Sequence, residues 1–111
     1  MANNTVKKEY IKMREADKYL KVELYYSLGG INYFTYKNEP RGYYLSACPV
    51  ERREYAPGLM MEGFTAFTGT KMLVEPCERK SKGAEARALA KYDECKARLM
   101  PEFAAMIEEV A

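Results

Sequence analysis

Residues 19–36, YLKVELYYSLGGINYFTY, carry the clearest periodicity in the chain. Leu20, Val22, Leu24 and Tyr26 alternate with Tyr19, Lys21, Glu23 and Tyr25, a period of two that specifies a strand with one apolar and one mixed face. Gly29-Gly30 follows, between Leu28 and Ile31. Paired glycines between alternating runs mark a two-residue hairpin loop, because primed turns need positive φ at their central positions. On that reading Leu28 faces Ile31, Tyr26 faces Tyr33, and Tyr25 lies across from Phe34. The expected core face is then Leu20, Val22, Leu24, Tyr26, Leu28, Ile31 and Tyr33.

Flanking segments extend this pattern. Lys37–Gly42 is a turn cluster around Pro40, and Gly42–Cys48 reads as a third strand, which Pro49 ends or places at a sheet edge. Arg52–Gly63, with Pro57-Gly58 inside it, reads as the longest irregular stretch. Phe64–Thr68 and Lys71–Glu75 read as short strands about Gly69-Thr70, the second ended by Pro76. Ser81 is a candidate N-cap for a helix reaching about Met100, with Ala88, Tyr92, Cys95 and Leu99 as its apolar stripe. Pro101 kinks that helix or opens another, whose apolar face is Phe103, Met106, Ile107 and Val110. In Val6–Lys18, Val6, Tyr10 and Met13 fit a helical face while Tyr10–Met13 alone could be a short strand, and the segment is read as a short lead-in element. The expected class is α+β: an antiparallel meander sheet of four to five strands packed against a C-terminal helical layer, in a single domain of residues 1–111.

Composition narrows the chemistry. With 48% hydrophobic and 31% charged residues the profile is globular. Histidine is absent, which removes the commonest general base, metal ligand and pH switch together. Cys48, Cys77 and Cys95 stand 29 and 18 residues apart, with no zinc-type spacing. An odd number of cysteines without a secretory leader points to free thiols and a cytoplasmic location. No run is apolar and long enough for a membrane-spanning helix, and a net charge of +2 is small for a protein that coats DNA. Cys48, beside Pro49, is the sharpest candidate nucleophile, with Arg52 or Arg53 as an activating charge. Glu108-Glu109 and Glu15 with Asp17 supply carboxylates for acid–base work. None of these spacings demands a reaction, and the phosphate-loop, dinucleotide and nucleophile-elbow motifs are missing. The expectation is a binding protein that is not an enzyme and needs no cofactor or metal.

Where binding occurs depends on the far side of the sheet. If the Lys37–Gly42 turn is symmetric, Tyr36 faces Tyr43 and Phe34 faces Leu45. Tyr25, Phe34, Tyr36, Tyr43 and Leu45 then make one contiguous patch opposite the core. One helical layer covers one face, so this patch needs a cover. The Arg52–Gly63 loop or the N-terminal segment could fold over it; so could a second copy, giving a two-fold homodimer centred on Phe34 and Tyr36; so could a partner or ligand. Ten tyrosines interleave with Lys21, Lys37, Arg41, Arg52 and Arg53, the ingredients of a stacking platform for single-stranded nucleic acid. Glu23, Glu39, Glu51 and Glu54 share the same strands and oppose it. Met60-Met61, with Leu59 and Phe64 nearby, is adaptable apolar material of the kind used against protein partners. The expected binding residues are Tyr25, Phe34, Tyr36, Tyr43, Arg41, Arg53, Met60 and Met61.

The wording of Asn32-Tyr33-Phe34-Thr35-Tyr36, of Arg41-Gly42-Tyr43-Tyr44-Leu45-Ser46, of Pro49-Val50-Glu51-Arg52 and of Phe64-Thr65-Ala66-Phe67-Thr68-Gly69 resembles short uncharacterised proteins carried by prophages and conjugative elements of gut Firmicutes. The resemblance covers roughly residues 9–95. It implies a mobile-element accessory protein with no activity attached. Compact proteins of such origin often bind a host or rival protein, inhibitors of defence systems among them.

Overall fold

The computed structural model, which describes residues 4–32, 35–64 and 72–107, buries Leu20, Val22 and Leu24 of strand β2 (Lys18–Ser27) on the face that alternation assigns to the core. The neighbours of β2 differ from expectation. It does not fold back on residues 31–36; it pairs along its whole length with β5 (Gly42–Ala56), from Lys18 opposite Glu51 to Ser27 opposite Gly42. Its other edge takes β1 (Asn4–Lys12), so the lead-in segment is a strand. Gly29 and Gly30 have the expected positive φ, 93° and 115°, yet they release the chain from the sheet. Gly30–Asn32 (β3) pairs instead with Lys37–Glu39 (β4) in a separate two-stranded sheet. The non-local register prevails because it sets Leu24 against Leu45 and Val22 against Ala47, all four buried.

That register also relocates the supposed outer patch. Tyr43, opposite Tyr26 with ring centroids 5.0 Å apart, and the fully buried Leu45 belong to the core face. Tyr25 lies on the other face, Tyr36 projects from a turn at φ 59°, and Phe34 falls outside the described residues. The contiguous patch of Tyr25, Phe34, Tyr36, Tyr43 and Leu45 does not form. The fold therefore offers no such patch for a two-fold dimer centred on Tyr36.

Strand β5 is the spine of the sheet. Along the edge away from β2 it pairs from Gly42 to Ala47 with β7 (Leu73–Arg79), then from Val50 to Ala56 with β6 (Leu59–Phe64). Pro49, expected to end the strand, sits between these two pairings, where a missing N–H costs least. Pro76 does not end β7 either; a register shift opposite Tyr43 and Tyr44 absorbs it. At the start of β5 a Cβ on Gly42 would meet the Glu78 carbonyl at 2.7 Å, so the close approach of β7 requires glycine there. Arg52–Gly63 is not irregular but a hairpin. Pro57-Gly58 forms its two-residue loop, with Gly58 at φ 81°, the conformation a type II turn needs at its second central position. A register shift beside Tyr55 adds local twist that this turn type lacks. The strand expected over 64–68 lies, apart from Phe64, outside the described residues.

A helical layer covers the Leu20–Leu24 face, as the amphipathic pattern predicts. It comprises α1 (Ala84–Ala90), α2 (Tyr92–Leu99) and a 3-10 segment (Met100–Met106) with Pro101 in its first turn. Ala88, Tyr92, Cys95 and Leu99 are all buried against the sheet, joined by Phe103. The helix starts later than expected, with Gly83 rather than Ser81 as its cap; the Ser81 carbonyl accepts the Ala84 N–H at 3.1 Å. The architecture is therefore α+β, a five-stranded antiparallel sheet under C-terminal helices. Among the described residues no helix is long and apolar enough to cross a membrane.

Candidate functional site

The face turned away from the helices has two ends with different covers. At one end the β3–β4 sheet lies over Tyr25 and Tyr44, whose rings stack at 5.9 Å. Tyr25 donates its hydroxyl to Glu39 at 2.9 Å, Asn32 Nδ2 donates to the same carboxylate oxygen at 2.8 Å, and Tyr44 donates to the Pro40 carbonyl at 2.6 Å. Burial and the Glu39 carboxylate push the Tyr25 hydroxyl far above its ordinary value. Part of the second face is thus closed by the chain's own excursion between β2 and β5.

At the other end the register gathers cations and aromatics. Lys8, Tyr10 and Lys12 of β1 stand beside Glu23, Lys21 and Tyr19 of β2, with Cys48, Val50 and Arg52 of β5 next in line and Glu62 of β6 opposite Arg52. Tyr10 and Tyr19 meet edge to face at 6.4 Å. The Arg52 guanidinium lies 4.0 Å from the Tyr10 ring centroid, while Lys12 Nζ is 5.6 Å from that of Tyr19. Glu62 anchors the group, accepting from Tyr10 and from Lys21 Nζ at 2.8 Å. Burial works against the Glu62 charge, yet the bonds from Lys21 and Tyr10 hold its carboxyl below the ordinary value. Cys48 is buried beneath this layer, and burial pushes its thiol up to about 11 despite Lys21 nearby. Arg52 is engaged with Tyr10 and Glu62, and Arg53 with Glu51 at 2.7 Å and Asp17 at 3.4 Å. The thiol is therefore protonated near neutral pH, which makes it a poor nucleophile.

Beyond Lys18 opposite Glu51, strand β2 ends, and the β5–β6 hairpin continues alone as a two-stranded ribbon. Its base is pinned. The Arg52 N–H donates to the Asp17 carbonyl at 2.8 Å, and the Arg53 and Glu62 ion pairs flank it. Its far end is apolar and open: Tyr55 is 75% exposed, Leu59 53%, Met60 49% and Met61 54%. Scattered exposed apolar residues are ordinary, but four lie within seven positions of one projecting hairpin, Leu59 and Met61 on one face of the ribbon and Met60 on the other.

The expected binding residues do not assemble into one site. Met60 and Met61 lie on the ribbon with Arg53 at its base. Tyr25 is buried beneath β3–β4, Tyr43 lies on the helical face, Tyr36 is 84% exposed at a turn, and exposed Arg41 donates from Nε to the Leu28 carbonyl at 3.3 Å. Tyr19 falls on the mixed face expected for β2, but Lys8, Tyr10 and Lys12 escape the sequence reading, which leaves their segment between helix and short strand; the alternation of Lys8, Tyr10 and Lys12 is the available signal. Leu59 stands beside Met60-Met61 in the sequence reading, while Tyr55 escapes it because an irregular Arg52–Gly63 around Pro57-Gly58 assigns Tyr55 no strand position. Glu15 and Asp17 are exposed, and Glu108-Glu109 lie outside the described residues. Among the described residues no three His, Cys, Asp or Glu side chains converge as metal ligands would. No protein-family model, curated protein or solved structure matches the chain.

Proposed function

We propose that this chain is a small binding protein that engages another protein through the β5–β6 ribbon, with Tyr55, Leu59, Met60 and Met61 as the contact and Arg53 at its margin. The observation that carries the reading is the apolar end of a ribbon whose base is fixed by hydrogen bonds and ion pairs. A fixed base lowers the ordering cost of association, and methionine and tyrosine supply contact area that adapts to a partner's pocket. The mobile-element resemblance names the partner class: a host or defence protein, inhibited by occupancy. Tip-to-tip association of two copies is the remaining form of the homodimer.

A second reading, single-stranded nucleic acid on the open end of the sheet face, is favoured by Lys8, Lys12, Lys21 and Arg52 surrounding Tyr10 and Tyr19. Two features weigh against it. Arg52 already occupies the Tyr10 ring, and Glu62 and Glu23 engage the cations that phosphates would need.

The test compares proteins enriched from the same lysate by the native chain, by Tyr55→Ser with Met60→Lys, and by Lys8→Glu with Lys12→Glu. A partner lost with the first variant and kept with the second supports the ribbon. A partner kept by the ribbon variant overturns it. Labelled single-stranded DNA and RNA, titrated at two salt concentrations, address the second reading, since phosphate contacts make affinity fall steeply with salt.

A further inference from the structure

We infer that Cys77 and Cys95 form a dithiol that hydrogen peroxide converts to a disulfide, fastening α2 to β7. This is independent of the proposed binding function. The two cysteines come from different layers, Cys77 from β7 and Cys95 from the apolar stripe of α2, and both are free and buried. Their Sγ atoms are 3.2 Å apart, with Cys77 donating to Cys95. A disulfide requires about 2.05 Å, so each sulfur need move only about 0.6 Å, within side-chain rotation.

The surroundings distinguish the two sulfurs. Arg98 Nη2 lies 3.3 Å from Cys95 Sγ. The guanidinium is held in place by Glu75 through Nε and by Glu94 through Nη1 at 3.2 Å. Cys95 thus receives a fixed cation and the Cys77 donor together. Burial, reinforced by the hydrogen bond to Cys95, pushes the Cys77 thiol up, so it keeps its proton as donor. Cys95 is accordingly the attacking sulfur and Cys77 the resolving one. In the first step the Cys95 sulfur attacks one peroxide oxygen and the O–O bond breaks, the Cys95 proton passing to the departing oxygen. Cys95 sulfenic acid forms, and the departing oxygen leaves as water. In the second step Cys77 sulfur attacks Cys95 Sγ; the S–O bond breaks, and the hydroxyl leaves as water with the Cys77 proton. The sum is two thiols and one peroxide to one disulfide and two waters. With Cys95 1% and Cys77 9% exposed, a small uncharged oxidant such as peroxide suits these sulfurs better than a bulky, charged peptide disulfide would. Cys48, buried on the opposite face, serves as an internal control.

The experiment treats the reduced protein with hydrogen peroxide and follows intact mass, tryptic peptides and thermal midpoint. The expected result is a loss of about 2 Da, for the two hydrogens removed, and a cross-link joining peptide 72–79 to peptide 92–96. One thiol should stay alkylatable after unfolding, and the midpoint should rise by several degrees and return with dithiothreitol. Cys48→Ser should give the same cross-link, and Arg98→Gln should form it several-fold more slowly. Oxygen addition without the 2 Da loss, a cross-link through Cys48, or no change at peroxide levels that oxidise free cysteine overturns the inference. An unchanged rate in Arg98→Gln overturns the assignment of Cys95 as the attacking sulfur.

Discussion

The hydroxyl of Tyr25, on the central sheet, donates at 2.9 Å to the buried carboxylate of Glu39, on the β3–β4 excursion, and this bond closes one end of the sheet's second face. A buried carboxylate that loses a donor keeps its desolvation cost. Tyr25→Phe should therefore destabilise the fold by about 1–3 kcal/mol, measured by urea denaturation. Glu39→Gln, which keeps an acceptor and sheds the charge, should cost less than Glu39→Ala. Equal losses for the two would show that the hydrogen bond is not what holds the excursion down.

Register is tested by a pair of truncations. Leu45→Ala should cost about 2–5 kcal/mol, because Leu45 is fully buried opposite Leu24. Tyr36→Ala should stay within about 0.5 kcal/mol, since the side chain is exposed at a turn. A hairpin between β2 and residues 31–36 would reverse that ranking, which denaturation midpoints read directly.

Alkaline stability follows from groups that hold their protons more tightly in the fold. Burial raises Cys48 from its ordinary 9.0 to about 11, and burial with Glu39 raises Tyr25 above 10.0. A raised folded value means the native state binds more protons between the two values, so this stability is complete below pH 9 and is lost as pH rises through 9 to 11. Denaturation midpoints should hold steady up to about pH 8.5 and decline beyond it. Cys48→Ala should flatten the first part of that decline; an unaltered curve would mean that the thiol does not contribute.

On the acid side Glu62 is lowered along with Glu51 and Glu78, and at Glu62 bonds from Lys21 and Tyr10 overcome burial. A depressed folded value contributes stability that is present above the ordinary 4.5 and lost as pH falls through the folded value. Glu62→Gln should make stability less sensitive to pH below about 4.5, in acid titrations followed by circular dichroism. A steeper acid limb in the variant would contradict this account of Glu62.

Much of the fold was legible locally. The faces of β2 and the stripe Ala88, Tyr92, Cys95 and Leu99 follow from periodicity, because burial of one face is a property of each element alone. The pairing of β2 was not legible. Gly29-Gly30 satisfies the backbone demands of a hairpin, and only the ten-residue match with residues 42–51, remote in sequence, outcompetes it. The site suffered for the same reason. Which side chains share a face depends on register, so the sequence places Tyr43 and Leu45 opposite the core and does not bring Tyr10 next to Tyr19. Met60 and Met61 stand out in the sequence as adaptable apolar side chains beside Pro57-Gly58, and the fold leaves both exposed.

The most direct test of the ribbon as the binding element is amide hydrogen exchange, with and without a partner recovered by the native chain. The account predicts new protection across Tyr55–Met61 and little change over Lys8–Lys21. Protection confined to Lys8–Lys21, with the ribbon exchanging as in the free protein, would contradict it and assign binding to the sheet face.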